Sequence, residues 1–375
     1  MAGAALAGCN SGPGAGDGGT SGGSMQTYVI GLIQTDPTTA GVPGSTTANA
    51  FGFDLDMMHN GMAGTCTDAS DFADPYNMSN MNIDNQLSTA LPVLGSMLGA
   101  DGADGAIRDQ IESGKILLML QIGGIDSYTN DTMVSVHAML GVVRSAACTA
   151  HADMASCGGD TANHCAWAAN ATGGGTCNGA PVASTVCMGH ADATSCQADV
   201  ANACNWSMAN SNCTGIMANQ TIAMLMDLGT VNGSIANGQL SATTAMLPLH
   251  FVAMGHDINL ILRSVHFGGH ITATNITSGE FGAQVLVDDI VMLATNLGVH
   301  VDRTTIEGFV SPDLMPGADT TAACGAHADM TSCTADTANY CTYTGGACHG
   351  ATAGQHCSAI SAGMGYAALQ ATLGM

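Results

Sequence analysis

Three stretches of this chain repeat one pattern, C-x2-H-A-D-x2-S-C-x2-D-x-A-N-x-C-x-[WY], each followed by a fourth cysteine and x-Gly. The first copy carries Cys148, His151, Asp153, Ser156, Cys157, Asp160, Asn163, Cys165, Trp167 and Cys177. The second carries Cys187, His190, Asp192, Ser195, Cys196, Asp199, Asn202, Cys204, Trp206 and Cys213. The third carries Cys324, His327, Asp329, Ser332, Cys333, Asp336, Asn339, Cys341, Tyr343 and Cys348. A unit of about 30 residues cannot bury enough apolar surface to fold unaided, so it needs covalent staples. Four cysteines make two bridges with three possible connectivities, which sequence leaves open. Each bridge contributes roughly 2–4 kcal/mol, chiefly by restricting the unfolded chain. The Trp or Tyr after the third cysteine is expected to form each unit's small apolar core.

The recurring His, Asp and Asn admit two readings. Asp, Ser and Asn accept backbone N–H bonds at the starts of short helical turns, and the same residues can also ligate a metal. Capping is the favoured expectation. Fifteen cysteines with no C-x2-C pair argue for disulfides in an oxidising compartment rather than for zinc in a reducing one. Twelve lie in the repeats. Setting Cys9 aside leaves Cys66 and Cys357, which can bridge the front of the core to its last segment.

Basic residues are scarce. One lysine and four arginines face 29 carboxylates, for a net charge of −24 over 375 residues. Five bases cannot build the patch that neutralises a run of phosphates, so a nucleic-acid partner is excluded. Lys115 is followed by Ile116, so no phosphate-binding G-x4-G-K-[ST] loop exists. Partners are expected among protein or glycan surfaces.

Residues 6–9, Leu-Ala-Gly-Cys, precede a run rich in Gly, Ser and Ala that reaches about Ser24. This resembles a bacterial lipobox, which implies lipidation of Cys9 followed by a flexible tether. Eight residues before Cys9 are too few for a signal peptide. Two readings therefore stand, a start lying further upstream or a chance likeness with Cys9 in a tail. No apolar run is long enough for a spanning helix, so membrane contact is expected only through a lipid anchor on Cys9, at the outer membrane or cell surface.

Between the repeats, periodicity points to strands at 28–33, 51–56, 116–122, 134–140, 258–267, 271–276 and 358–373. Asn237-Gly238 marks a hairpin. Apolar stripes through Leu87–Leu98 and Leu286–Leu297, and a segment near 105–112, mark helices. The fold class expected is α+β, an antiparallel β-rich core with two or three helices plus small disulfide-rich modules. The divisions expected are a lipobox and tether (1–24), core (25–145), repeats one and two (146–215), core (216–322), repeat three (323–350) and a closing core segment (351–375).

Part of each repeat is similar, over about a dozen residues, to modules of the plexin–semaphorin–integrin type. The core resembles a group of uncharacterised surface lipoproteins from myxobacteria and related soil bacteria. The residues that carry this are the Leu-Ala-Gly-Cys start, Gly52-Phe53-Asp54-Leu55-Asp56, Cys66 with Asp71-Phe72, Ile83-Asp84-Asn85-Gln86-Leu87 and Ser113-Gly114-Lys115. The resemblance implies location and fold type and brings no activity with it.

Catalytic patterns are sparse. The one G-x-S-x-G match, at Gly19–Gly23, falls in the tether, where no nucleophile elbow can form. Glu112, Glu280 and Glu307 are expected at helix ends or turns rather than as a facing glycosidase pair, which needs carboxyls about 5 Å apart when retaining. No enzymatic activity is expected. Oxygen-rich residues crowd 54–84, and Asp54, Asp56, Asp68 and Asp71 are the candidate ligands for Ca²⁺. Met57-Met58-His59 and Met62 are the weaker candidates for copper. His250, His256, His266 and His270 share one segment, the last two expected to flank a Gly-Gly turn and reach one ion. A secreted hydrolase whose site the sequence does not display stands as a third alternative.

Overall fold

Alternating apolar residues in eight segments wind into a closed barrel. The structure, a computed structural model, describes residues 23–35, 49–55, 71–77, 79–88, 101–163, 165–169, 174–253, 256–296, 302–308, 312, 314–316, 320–336, 339, 341–350 and 357–374. The barrel strands are Ser24–Gln34 (β1), Leu117–Ile125 (β2), Asn130–Val142 (β3), Gln220–Ala236 (β4), Gln239–Ala253 (β5), His256–Ile271 (β6), Asn275–Leu286 (β7) and Cys357–Gly374 (β8). Each pairs antiparallel with the next, as in Met119↔Met139, Gly233↔Ala242, Leu240↔Gly269 and Gly282↔Gly363. The last strand returns to the first through Ala368↔Ile30 and Leu369↔Val29, which removes both sheet edges. One parallel contact supplements this, between Gln220–Ala223 and Ala371–Gly374.

The period-2 rule decides what lies inside. Tyr28, Ile30, Leu120, Ile122, Val136, Val231, Ile235, Val265, Phe267, Ile276 and Ala368 form one buried cluster filling the barrel. Tyr28 and Tyr366 each donate a hydroxyl hydrogen bond to a backbone carbonyl, of Thr272 (2.6 Å) and Gly268 (3.0 Å), so neither polar tip is stranded. Outward positions on β3 and β4 include His137, Asp227, Thr230 and Asn232, and His137 donates to Asp227 across the strands at 2.7 Å.

Antiparallel winding separates two kinds of connection. Residues 126–129, 237–238 and 272–274 turn tightly at one end. Asn237 (φ 53°) and Gly238 (φ 80°) supply the two left-handed residues of a two-residue hairpin. Every long insertion leaves from the opposite end: 35–116 after β1, 143–219 after β3 and 287–356 before β8. All three cysteine repeats lie in these insertions.

The β-rich antiparallel core is as expected, and the closing segment does pair as a strand. The helix number is a correction. Eight helices occur among the described residues, five of them short turns in the cysteine modules, three of which open on an aspartate cap. The two strands expected over 258–276 are also redrawn, because Gly268-Gly269 continues β6 instead of turning it, with a register shift absorbed at Gly269 (φ 153°). Beyond Ser88 the helix expected over Leu87–Leu98 lies outside the described residues.

Residues 49–55 form a strap across the outer wall of β6, β7 and β8. Phe51 lies over Gly363 and Gly365, and Phe53 over Gly268 and Gly282, where side chains would collide with the strap. Asn85, fully buried, donates from Nδ2 to the carbonyls of Phe51 (2.7 Å) and Gly363 (3.1 Å), joining strap to barrel. Leu55 N–H donates to Asp84 Oδ2 at 2.6 Å, and Gln86 N–H to Ser361 Oγ at 2.7 Å. The segments 52–55 and 83–86 thus interlock here. Gly363→Ala is expected to place a methyl on the Phe51 carbonyl and to destabilise by about 1–3 kcal/mol in urea unfolding. Gly158→Ala, a module helix position with nothing within 4 Å, is expected to be neutral or slightly stabilising.

Candidate functional site

Each cysteine module closes in the same way, first cysteine to third and second to fourth. The bridges are Cys148–Cys165 and Cys157–Cys177, Cys187–Cys204 and Cys196–Cys213, and Cys324–Cys341 and Cys333–Cys348. Of the connectivities left open, one recurs three times. Trp167, Trp206 and Tyr343 pack half-buried against these sulfurs as each unit's core. Cys357 is disulfide-bonded. Cys9 and Cys66, and with them the lipidation site and one end of the expected Cys66–Cys357 pair, lie outside the described residues.

The repeated polar residues serve structure inside the modules. Asp153, Asp192 and Asp329 are N-caps, accepting from the backbone N–H of Ser156, Ser195 and Ser332 at 2.8–2.9 Å. That bond holds all three cap carboxyls below their ordinary range. The second aspartate of each unit takes a histidine N–H: His151 to Asp160 at 2.9 Å, His190 to Asp199 at 3.0 Å, His327 to Asp336 at 2.8 Å. The same carboxylate accepts from the asparagine side chain, as Asn163 to both oxygens of Asp160 at 3.0 and 2.9 Å. Asp160 and Asp336 are held low first by the histidine and then by the asparagine. With both oxygens engaged and the neighbouring cysteine in a disulfide, this group is a clasp between loop and helix rather than a metal site.

The second module is docked on the barrel. Asp101, just before the helix Gly102–Glu112 (α1), accepts from Ser207 Oγ (2.9 Å), from Met208 and Ala209 backbone N–H, and from Arg108 Nη2 (2.7 Å). Burial alone would raise the Asp101 carboxyl, but Arg108, Ala209 and Ser207 together outweigh it and hold the group low. Ala203 and Ile216 of this module pack with Val29, Met119 and Leu369 on the barrel's outer face and with Ile111 of α1. Ala203 is fully buried, and copies one and three carry His164 and Tyr340 at its position. The small side chain at this one position lets the second module approach Gly31 of β1 closely.

Of the four expected calcium ligands, Asp54 and Asp71 fall among the described residues. Asp56 and Asp68 lie outside the described residues, as do Met57, Met58, His59 and Met62. Asp54 sits in the strap and Asp71 opposes Asp84 in a short two-stranded pairing. Among the described residues, no three potential ligands outside the modules converge within 4.8 Å. His266 stacks on Phe53 at 5.2 Å, and burial lowers its pKa. With no turn between them, His266 and His270 are about 13 Å apart along one strand at ~3.3 Å per residue, too far to share an ion. His250 and His256 fall on strand residues whose side chains are outside the described ones.

One titratable site escaped sequence reasoning. Glu280 is not at a turn or helix end; it lies in the middle of β7, opposite Gly268 and Gly365, beneath the strap. Gly52 N–H donates to Glu280 Oε1 at 3.4 Å. Burial, then the neighbouring Asp74 carboxylate, pushes its pKa up to about 8. Tyr76, which meets the Phe51 ring at 5.8 Å, is raised by burial and by the same two carboxyls. Only the Glu in an otherwise glycine-rich stretch hinted at this, and the covering strap comes from more than 200 residues away in sequence.

The few bases are largely committed to internal pairs: Arg108 with Asp101, Arg263 with Asp289 at 2.8 Å, and Arg303 with Asp288 at 2.8 Å. No helix among the described residues is long and apolar enough to cross a membrane. No protein-family model, curated protein or solved structure matches the chain.

Two expectations follow. Glu280 has a folded-state pKa above its unfolded value near 4.3, so the folded state binds the proton more tightly. Stability therefore falls as pH rises from about 4.5 to about 8 and is level above. Glu280→Gln should flatten that slope, by on the order of 2–4 kcal/mol across the window, read from urea midpoints at several pH values. Asp101→Ala removes a charge shared between Arg108 and the second module. It should cost about 2–4 kcal/mol, with faster hydrogen exchange in 187–214 than in the other two modules.

Proposed function

We propose that this chain is a non-enzymatic binding protein of the cell exterior, whose barrel holds disulfide-stapled modules toward a protein or glycan partner. Six bridges among the described residues fit an oxidising, extracytoplasmic compartment. The observation that carries the reading is the asymmetry of the barrel. One end has tight turns, and the other bears every long insertion, including all three modules. A rigid scaffold that gathers variable segments at one end is the usual arrangement of a recognition protein. Inside each module the polar residues are engaged in caps and clasps, which leaves the outer faces free to vary while the interior repeats. A lipid on Cys9 with the Gly/Ser run behind it would hold the barrel off the outer membrane on a flexible tether. The net charge of −24 and the shortage of bases favour neutral or cationic partner surfaces over anionic ones.

The test compares the full chain with one in which 323–350 is replaced by a short Gly-Ser linker. Both are titrated against whole cells and purified cell-envelope glycan, with circular dichroism to check the barrel. Saturable binding that weakens at least tenfold in the variant, with the barrel signal unchanged, is the expected outcome. Equal binding by both chains would remove the third module from the reading, and turnover on an ester, peptide and glycan panel would replace binding with catalysis.

A further inference from the structure

Methionine dominates the exposed apolar surface. The chain has 24 methionines. Eleven of the sixteen large apolar side chains exposed among the described residues are methionine, and among the most open are Met133 (70%), Met25 (66%) and Met208 (66%). Two of the three modules place one at the same point, the first residue of the capped helix, where Met154 and Met330 are equally exposed. Met119 and Met139, by contrast, are fully buried where the outer barrel face meets α1 and the second module. An exposed thioether adds nothing to packing that leucine would not. What it adds is a soft, oxidisable sulfur.

The twelve module cysteines are all in disulfides, so they offer no thiol to intercept an oxidant. The half-buried Trp167 and Trp206 on which two modules close are themselves oxidisable. We infer that the exposed methionines form an oxidant sink, consuming hypohalous acid before it reaches the module tryptophans and the buried Met119 and Met139. The sulfur of each thioether attacks the halogen of the hypohalous acid, breaking the halogen–oxygen bond and releasing hydroxide, to give a halosulfonium. Water then adds its oxygen to sulfur as halide leaves; of the two protons lost from that water the hydroxide takes one, so a sulfoxide, a halide and one proton remain. Sulfur loses two electrons and the halogen gains them. Because these side chains project into solvent, the polar sulfoxide is accommodated without opening the core, and a methionine sulfoxide reductase can return it to the thioether.

The experiment doses the full chain with sodium hypochlorite in rising molar equivalents and maps oxidation by peptide mass, with near-ultraviolet circular dichroism in parallel. The expected result is sulfoxide at the exposed methionines first, with the six bridges, Trp167, Trp206, Met119 and Met139 intact and the spectrum unchanged. A variant with Met154, Met188, Met208 and Met330 all replaced by Leu, shown to keep the parent spectrum before dosing, should lose tryptophan at a clearly lower dose. Oxidation of Met119 or the tryptophans in step with the surface, or an unchanged tryptophan dose in the leucine variant, would overturn the inference.

Discussion

The pairing of the last strand with the first holds the rest of this molecule in place. β8 hydrogen-bonds to β7 on one side, over Asn275–Leu286, and to β1 on the other, over Thr27–Gln34. Without it the eight strands would form an open sheet with two unsatisfied edges and an apolar face half exposed. With it, a single side-chain core fills the interior, and the outer wall becomes a surface on which other segments can be seated. The strap uses that wall at Gly363 and Gly365, and the second module uses it at Val29 and Leu369. Closure therefore connects residues near both chain ends to elements inserted between them.

The modules answer a different constraint. Each is too small to hold itself by burial, so two crossed bridges, a capped helix and a His–Asp–Asn clasp stand in for a core. That self-sufficiency is what allows insertion into barrel connections without disturbing strand register. The second module departs from the others at Ala203 and at the Ser207 turn that reaches Asp101, and these differences tie it to the barrel. One unit has thus become part of the scaffold while keeping the interior of its siblings.

Much of this was legible in the residues, for physical reasons. Cysteine spacing and the Asp-x2-Ser signature are local, so the stapling of each repeat by two bridges and its helix cap could be foreseen. The Asn237-Gly238 turn and the strand character of Ser358–Leu373 follow from backbone preference and alternation. Closure, connectivity and the Glu280 site could not be foreseen, because each depends on which distant segments meet. Glu280 looks like an ordinary polar strand residue until Phe51, Gly52 and Asp74 arrive to cover it. Gly268-Gly269 was misleading because paired glycines usually turn the chain. Here Gly268 makes room for the ring of Phe53 in the middle of a strand. The Asp54–Asp71 ligand set lies only partly among the described residues, where Asp54 belongs to the strap and Asp71 pairs with Asp84.

Hydrogen exchange resolved to single amides tests closure most directly. If β8 seals the barrel, amides of Ala367–Ala371 will exchange as slowly as those of Thr27–Ile30 and of the barrel-facing part of β7, and all three will open together as denaturant is added. Rapid exchange along β8 and the facing edge of β1, while β2 to β6 stay protected, would show an open sheet and contradict the account.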